Sequence, residues 1–253
     1  MKILITNDDG WEAKGIRVLI RLMKQLGQVT VIAPDGARSG QSNAISVGIP
    51  LFMEKMPAIE GLEDVDLYIT NGTPSDCIKL AVNTIFKEQF PDLVVSGINH
   101  GSNAAINVIY SGTMGACLVA AEQGIPAIGF SLCDHHLDAD FSFFEPYIIG
   151  LTKKILARPH QYGLCYNINA PIGEIKGVRI TRQCKGNWAD EFPSYKDADG
   201  NTRYLLTGHF NNREPEAQDT DEWALANGYI AVTPTTIDIT EYNWKDLTNI
   251  GSE

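Results

Sequence analysis

The sequence opens with a short apolar run that stops at two adjacent aspartates, in the segment Met1–Gly10 (MKILITNDDG). An open α/β sheet brings carboxylates in this way to the carboxyl edge of its strands, where such sheets bind ligands. Asp8 and Asp9 repel each other when both are ionised, so the pair is costly unless a cation lies between them. A hard divalent ion such as Mg²⁺ or Mn²⁺ suits two carboxylates. Asn-Asp-Asp-Gly is also good turn chemistry, and this segment alone leaves both interpretations open.

Apolar runs typical of buried strands alternate with helical patterns up to about residue 160. The predicted strands are 3–6, 29–33, 92–97 and 125–132, and the predicted helices are 16–26, 74–87, 113–123 and 143–157. Strands separated by helices indicate an α/β fold with a Rossmann-like, doubly wound, mostly parallel sheet. Later in the chain, short β-like runs at 164–168, 178–181, 204–207 and 229–233 are separated by polar, turn-rich stretches. This change of pattern predicts a C-terminal antiparallel β arm or subdomain.

Three loops that follow predicted strands share oxygen-bearing side chains, amides and glycines. They are Asn7–Gly10, Pro34–Asn43 and Ile98–Asn103. Because the loops after parallel strands converge at one edge of a sheet, we expect the three loops to meet. This placement makes Asp8, Asp9 and Asn99 candidate ligands of a divalent metal ion.

The segment Tyr110–Ala116 (YSGTMGA) carries small residues into a predicted helix. The free backbone N–H groups at such a helix start can hydrogen-bond an anion, and the helix dipole favours negative charge there. Ser111 and Thr113 add hydroxyl donors. The same residues also suit a plain helix cap, so the segment by itself leaves phosphate binding and capping as two open interpretations.

The acidic balance of the chain limits its partners. The net charge is −11 and the pI is about 4.9, which argues against a nucleic acid polymer because such binding depends on Lys and Arg contacts to phosphates. A small phosphorylated substrate remains compatible, since metal ions and backbone amides bind phosphate locally. No apolar run approaches the length of a membrane span. The five scattered cysteines and the absence of a signal-peptide layout predict a soluble, cytoplasmic protein with reduced thiols.

Several motifs together resemble the SurE survival-protein nucleotidases. They are NDDG at 7–10, RSG at 38–40, GTPSDC at 72–77, SGIN at 96–99 with Gly101 and Asn103, and YSGT at 110–113. Thr220-Asp221, Gly228-Tyr229 and Thr233-Pro234 continue the likeness toward the C-terminus. The order and spacing of the set match the family over most of the chain. The resemblance weakens at about 134–160 and 185–215.

The resemblance implies a divalent-metal-dependent phosphatase that hydrolyses nucleoside 5′-monophosphates, with 3′-monophosphates and short polyphosphate as further candidate substrates. It implies one Mg²⁺ or Mn²⁺ per subunit, held by Asp8, Asp9, Ser39 and Asn99; only the resemblance favours Ser39 over Ser42. Asp8 and Asp9 are also the expected catalytic residues, because one of them would orient or deprotonate the attacking water. The candidate phosphate-binding residues are Gly40, Asn43, Asn103, Ser111, Gly112 and Thr113.

The expected organisation is one continuous unit with two parts. Residues 1–160 form the catalytic core, and residues 161–253 complete that core and add a β-hairpin arm. In the family that the chain resembles, the arm mediates oligomers, so we expect a homodimer or a homotetramer.

Other functional classes make different demands on the sequence. A non-catalytic module that senses nucleotides through a metal stays open. A response-regulator receiver needs an acceptor Asp at the end of a later strand, where this chain has Ser96–Asn99. A dinucleotide-binding oxidoreductase needs G-x-G-x-x-G in its first strand–helix turn, which is lacking here. His100 could be a general acid, but the favoured interpretation is a solvated loop histidine.

Overall fold

The structure, a computed structural model, describes residues 1–242. The end of the predicted C-terminal part, residues 243–253, lies outside the described residues. The elements in chain order are β1 (Lys2–Thr6), α1 (Lys14–Met23), β2 (Gln28–Pro34), β3 (Glu54–Lys55), β4 (Asp66–Thr70), α2 (Pro74–Asn83), β5 (Leu93–His100), a 3₁₀ helix (Ala105–Ile109), α3 (Gly112–Glu122), β6 (Ala127–Leu132), α4 (Glu145–Leu156), β7 (Leu164–Ala170), β8 (Gly177–Ile180), β9 (Gly186–Ala189), β10 (Ser194–Lys196), β11 (Thr202–Tyr204), β12 (His209–Asn212), α5 (Asp221–Ala226) and β13 (Tyr229–Thr236).

A nine-stranded sheet in the order β3-β4-β2-β1-β5-β6-β7-β13-β8 forms the centre of the fold. Strand β1 lies between β2 and β5 and is parallel to both, with Ile5 opposite Val31 on one side and Val95 on the other. The chain therefore winds outward from β1 in both directions, and the loops after β1, β2 and β5 leave the sheet at the same edge. The predicted α/β, doubly wound, mostly parallel fold is confirmed.

The two faces of the sheet carry separate apolar cores because successive strand residues point to opposite sides. Ile3 and Ile5 of β1 pack with α1 and α4, whereas Leu4 packs with α2 and α3 on the other face. All three of these β1 side chains are fully buried. Such continuous burial on both faces is typical of a central strand in a parallel sheet, and it fixes the point at which β1 delivers Asp8 and Asp9.

Helix α2 begins as its sequence predicts and ends earlier. The Thr73 hydroxyl accepts a hydrogen bond from the backbone N–H of Asp76, and the Asp76 carboxylate accepts one from the backbone N–H of Thr73. The predicted end near Lys87 is wrong. Thr84 leaves the helical conformation at φ −124° and ψ −82°, and the N–H of Phe86 then closes the last turn on the carbonyl of Ala81 at 2.9 Å.

The β-rich C-terminal part contributes to the main sheet as well as to an arm. Strand β7 continues the sheet parallel to β6, β13 runs antiparallel to β7, and β8 lies parallel to β13. The arm consists of two antiparallel ribbons, β9 with β12 and β10 with β11. The predicted strand at 204–207 is wrong beyond Tyr204, because the chain there crosses from β11 toward β12. The division at about residue 160 stays a prediction.

Five strands were not predicted, namely β3, β4, β9, β10 and β12. Each carries partly or fully exposed residues, so none shows the continuous apolar run by which the buried strands were found. None of the helices in residues 1–242 combines the length and the apolar character that crossing a bilayer requires.

Candidate active site

Asp8 lies directly after β1 and is almost fully enclosed, with 3% of the residue exposed. Burial, and next the neighbouring charge of Asp9, raises the pKa of Asp8 to about 6. The hydroxyl of Thr113 donates to Asp8 Oδ1 at 2.5 Å and partly offsets this rise. A buried, repelled carboxylate of this kind is stabilised by a bound cation.

Asp9 joins the end of β1 to the end of β5. Its Oδ2 accepts a hydrogen bond from the backbone N–H of His100 at 3.1 Å. Burial raises the pKa of Asp9, while the His100 N–H and the charges of His100 and His135 act in the opposite direction. The two carboxylates are therefore held beside the loop that carries Asn99.

The loop after β2 approaches Asp8 through its backbone. The N–H of Arg38 donates to the carbonyl of Asp8 at 2.6 Å, which brings this loop to the end of β1. Ser39 and Gly40 follow Arg38 in the chain, and both residues are exposed. The Arg38 guanidinium contacts Asp35 and the carbonyl of Asn71, so it braces its own loop.

The same loop continues across the start of α3. Ser42 donates from its N–H to the carbonyl of Tyr110 at 3.0 Å, and from its hydroxyl to the carbonyl of Ile109. A Cβ built on Gly115 would lie 2.8 Å from Asn43 Oδ1. Asn43 therefore lies against the first turn of α3, close to the candidate phosphate-binding residues.

Asn99 is oriented at the end of β5, after a register shift against β6 between Ser96 and Asn99. Its Nδ2 donates to the carbonyl of Gly101 at 2.8 Å. This bond directs Nδ2 toward Gly101 and therefore turns Oδ1 away from it. Oδ1 has no hydrogen-bond donor within the part of the chain that the structure describes. A free amide oxygen beside two carboxylates is what a hard-metal site requires.

The start of α3 is in close contact with Asp8. Ser111 caps the helix by accepting from the N–H of Met114 at 3.0 Å. A Cβ built on Gly112 would lie 2.9 Å from Asp8 Cβ, so a larger residue there would displace the aspartate. Gly112 and Thr113 lie in the first helical turn, where N–H groups lack a carbonyl partner within the helix. The helix cap and the candidate phosphate site are thus the same residues.

Asn103 is held by a buried polar network on β6 and β7. Its Nδ2 donates to Ser131 Oγ at 2.9 Å, its N–H donates to Asn169 Oδ1 at 2.8 Å, and its carbonyl accepts from Asn167 Nδ2 at 2.8 Å. The predicted phosphate ligand therefore uses one of its two side-chain N–H donors on Ser131. Sequence reasoning missed Ser131, Asn167 and Asn169, although polar residues inside otherwise apolar strand runs are a signal for such a network.

Asp221 is a fourth missed residue, although its Thr-Asp motif forms part of the resemblance. It is buried, with 1% exposed. Its carboxylate accepts from the N–H of Ala105 at 2.8 Å and from the N–H of Cys184 at 2.9 Å. One side chain thus fixes the 3₁₀ helix, which leads into Ser111, to the segment that enters the arm.

The ring of His100 is packed, so the interpretation as a solvated loop histidine is wrong. Its Nδ1 lies 2.7 Å from the carbonyl of His136, and its edge meets Phe141 at a centroid distance of 5.2 Å. Its Nε2 is buried without a partner among residues 1–242. Neither ring nitrogen is open to a leaving group. His135 instead lies over Gly101, where a Cβ would come within 2.4 Å of its ring.

The donor set fits a hard divalent cation. Residues 1–242 contain no cluster of three or more His, Cys, Asp or Glu side chains suited to a metal. The candidate site instead combines two carboxylates with amide and hydroxyl oxygens, which Mg²⁺ and Mn²⁺ accept as ligands. Asn7 Oδ1, adjacent to the pair, is buried without a partner among the described residues.

Known proteins resemble this chain in sequence over most of its length. The sequence model of a family described as "Survival protein SurE" matches residues 3–190. The chain belongs to the SurE family. A protein named 5′-nucleotidase SurE from Phocaeicola vulgatus is 48% identical over 241 residues, covering 95% of this chain and 92% of the relative. A protein of the same name from Bacteroides fragilis is 47% identical, covering 96% of this chain and 94% of the relative.

A solved structure supports the SurE assignment at the level of the fold. The crystal structure of the SurE protein from Aquifex aeolicus superposes with a TM-score of 0.85 at 33% sequence identity, and the match covers 100% of both chains. The predicted SurE resemblance is therefore confirmed. The individual site residues stay predictions, which rest on the contacts described above.

In metal-free protein, we expect Asp8→Asn to raise the free energy of unfolding by about 3 kcal/mol near pH 8. This is the scale on which a carboxyl pKa raised from 3.8 to about 6 penalises the folded state. The charge of Asp8 destabilises the folded state fully at pH values above the folded-state pKa, and this effect disappears as the pH falls toward the unfolded-state pKa. The stability gained by Asp8→Asn should therefore be smaller near pH 4. Urea unfolding at both pH values measures this gain.

The control for this prediction is Asp199→Asn, which removes an exposed carboxylate from the arm. That variant should change the unfolding free energy little at either pH. If Asp8→Asn proved no more stable than the wild type near pH 8, the buried Asp8 would not carry the charge assigned to it.

Proposed function

We propose that this chain hydrolyses nucleoside 5′-monophosphates to nucleoside and phosphate with one Mg²⁺ or Mn²⁺ per subunit. Its relatives are named 5′-nucleotidases, which bears out the prediction of an enzyme of the phosphatase type. The dependence on a metal, and the residues that hold it, are our inference from the site.

The observation that carries the proposal is the contact between Asp8 and Thr113. The 2.5 Å hydrogen bond joins a candidate metal ligand to a candidate phosphate-binding residue, and Gly112 permits this close approach. A phosphate bound at the start of α3 would therefore lie beside the carboxylate pair. This adjacency is the arrangement that phosphoryl transfer needs, because positioning and electrostatic stabilisation do most of the work in that reaction.

Each side chain then has a defined task. The cation, when bound, neutralises charge on the phosphoryl group and lowers the pKa of water. Asp8, Asp9, Ser39 and Asn99 would hold it. The N–H groups of Gly40 and of residues 111–113 would hold the phosphate oxygens. One of the two aspartates would also orient or deprotonate the attacking water.

The proposal extends to three properties that the relatives do not decide. Nucleoside 3′-monophosphates and short polyphosphate are further candidate substrates, since the candidate phosphate-binding groups would contact only the phosphoryl group. A homodimer or homotetramer is proposed because the arm exposes large apolar side chains, among them Phe192, Tyr204 and Leu206. A cytoplasmic location agrees with five cysteines that are all unpaired.

A phosphate-release assay tests the proposal. The substrates are nucleoside 5′- and 3′-monophosphates, ribose 5-phosphate and tripolyphosphate, each with Mg²⁺ or Mn²⁺. Release from nucleoside 5′-monophosphates is the expected result. If the protein bound these nucleotides but released no phosphate from any of them, the non-catalytic sensing module would be the better account.

A further inference from the structure

A groove of about 610 Å³ lies between the 3₁₀ helix and the base of the arm. Ile106 of the 3₁₀ helix lines one side, and residues 183–187 with Arg213 line the other. The 3₁₀ helix lies between Asn103 and Ser111 in the chain, so the helix that lines the groove also leads into the candidate phosphate-binding residues. The residues proposed for phosphate hydrolysis do not include any that line the groove.

The lining is cationic in a protein whose net charge is −11. Lys185 and Arg213 are its charged residues, and neither makes an ion pair within residues 1–242. Arg213 Nε donates to the neutral Asn187 Oδ1 at 3.0 Å, which leaves its terminal nitrogens available. The ammonium group of Lys185 has no hydrogen-bond acceptor among the described residues.

Of the acidic side chains near the groove, Glu214, Asp219 and Asp221 are engaged by other groups, and Glu222, whose charge also acts on Cys184, is half-buried. Glu214 and Asp219 both bind the guanidinium of Arg182, at 2.5 Å and 2.8 Å. Glu214 also accepts from the backbone N–H of Lys185 at 2.8 Å. The third carboxylate, Asp221, is buried beneath the groove and accepts from backbone N–H groups. Lys185 and Arg213 are therefore exposed and make no ion pair of their own among the described residues, although the charges of Lys185 and Glu214 interact at longer range.

The walls of the groove are fixed to each other before any ligand binds. Asp221 ties Ala105 to Cys184, and Trp188 Nε1 donates to Asn107 Oδ1 at 2.7 Å. The N–H of Arg213 donates to the carbonyl of Lys185 at 3.0 Å. A preformed site loses less ordering entropy on binding than a flexible one.

We propose that this groove binds a phosphate group other than the one that is hydrolysed. Arg213 supplies a planar, forked donor suited to phosphate, Lys185 adds a second positive charge, and the side-chain amide of Gln183 is a neutral donor beside them. The phosphate group belongs either to the substrate, as in a nucleoside 3′,5′-bisphosphate, or to a separate inorganic oligophosphate. The first of these sources rests on the proposed hydrolysis, and the second does not.

Calorimetric titration with inorganic tripolyphosphate in the presence of a chelator tests the groove without turnover. We expect the double variant K185Q/R213Q to bind at least about tenfold more weakly than the wild type, since two charge-assisted contacts are lost. The matched control is K153Q/K154Q, which removes two exposed charges from α4 on the other face of the sheet and should bind as the wild type does. Equal binding by all three proteins, or none by the wild type at millimolar concentration, would overturn the proposal.

The single variant K185Q keeps the test valid if the double variant fails to fold, because it removes no described side-chain hydrogen bond. We expect K185Q to bind tripolyphosphate several-fold more weakly than the wild type. Raising the salt concentration should also weaken tripolyphosphate binding to the wild type. The difference in affinity between the wild type and K185Q should then become smaller.

Kinetic measurements then separate the two sources of the phosphate. A KM for nucleoside 3′,5′-bisphosphate that rises about tenfold in K185Q/R213Q, with an unchanged KM for the 5′-monophosphate, assigns the groove to the second phosphate of the substrate. An unchanged bisphosphate KM with lost tripolyphosphate binding assigns it to a free oligophosphate. Absence of phosphate release from every substrate would refute the proposed hydrolysis and leave the titration result standing.

Discussion

Asp9→Asn should lower kcat/KM for a nucleoside 5′-monophosphate by about a thousandfold, and Asp8→Asn by at least as much. Each substitution replaces a carboxylate by a neutral amide of nearly the same shape. The hydrogen bonds from Thr113 and from the backbone of His100 can both persist, because an amide oxygen also accepts them. What disappears is one negative charge next to the proposed cation, together with a candidate proton acceptor.

Stability and activity should move in opposite directions in Asp8→Asn. Removal of a buried, repelled charge stabilises the metal-free fold, whereas loss of a metal ligand disables the reaction. A merely misfolded variant would lose both stability and activity, so measuring urea unfolding and phosphate release on the same preparation distinguishes the two causes. Asp199→Asn is again the control and should retain wild-type kinetics. If Asp8→Asn kept more than about a tenth of the wild-type kcat/KM, Asp8 would be excluded from the proposed metal site.

The buried strands and the position of the aspartate pair could be predicted because each depends on a local pattern. Ile3, Leu4 and Ile5 are buried on alternate faces of the sheet, so their apolar run marks a central strand without knowledge of any partner. The start of α2 is equally local, since Thr73 and Asp76 cap each other within one turn. Once the sheet is parallel, the convergence of the loops after β1, β2 and β5 follows from its topology.

The residues that position the site could not be predicted from such patterns, because their contacts join distant parts of the chain. Asp221 binds the N–H of Ala105 across 116 positions, and Asn169 binds the N–H of Asn103 across 66. A buried polar side chain needs a partner, but the sequence does not say which backbone group supplies it. The resemblance directed attention to Thr220 and Asp221 without giving either residue a role.

The ring of His100 shows the same difficulty for a loop residue. Its sequence position, directly after Asn99, suggests proximity to the reaction. Its actual surroundings depend on Phe141 and on the carbonyl of His136, both supplied by the segment after β6. That segment lies where the resemblance to the family is weak, so neither the local pattern nor the family motif could have shown that the ring is packed.

Protein treated with a chelator and then freed of it should release phosphate about a thousandfold more slowly than the metal-loaded protein, and Mg²⁺ or Mn²⁺ should restore the rate. Without a cation, Asp8 and Asp9 present two negative charges to an incoming phosphate dianion, and the N–H groups at the start of α3 must hold that dianion against them. The expected loss therefore combines a missing electrophile with direct repulsion.

The metal concentration that gives half of the maximal rate should rise as the pH falls through about 6, because protons compete with the metal for Asp8, whose pKa is about 6. A metal titration of the rate at several pH values measures this shift. Asp9→Asn provides the matched comparison, since added metal should not return it to the wild-type rate at any pH. Undiminished phosphate release after chelation, with metal content verified by elemental analysis, would leave the paired carboxylates without the role proposed for them. Chelation should not change tripolyphosphate binding in the groove at the base of the arm, because the positive charges there belong to side chains of the protein.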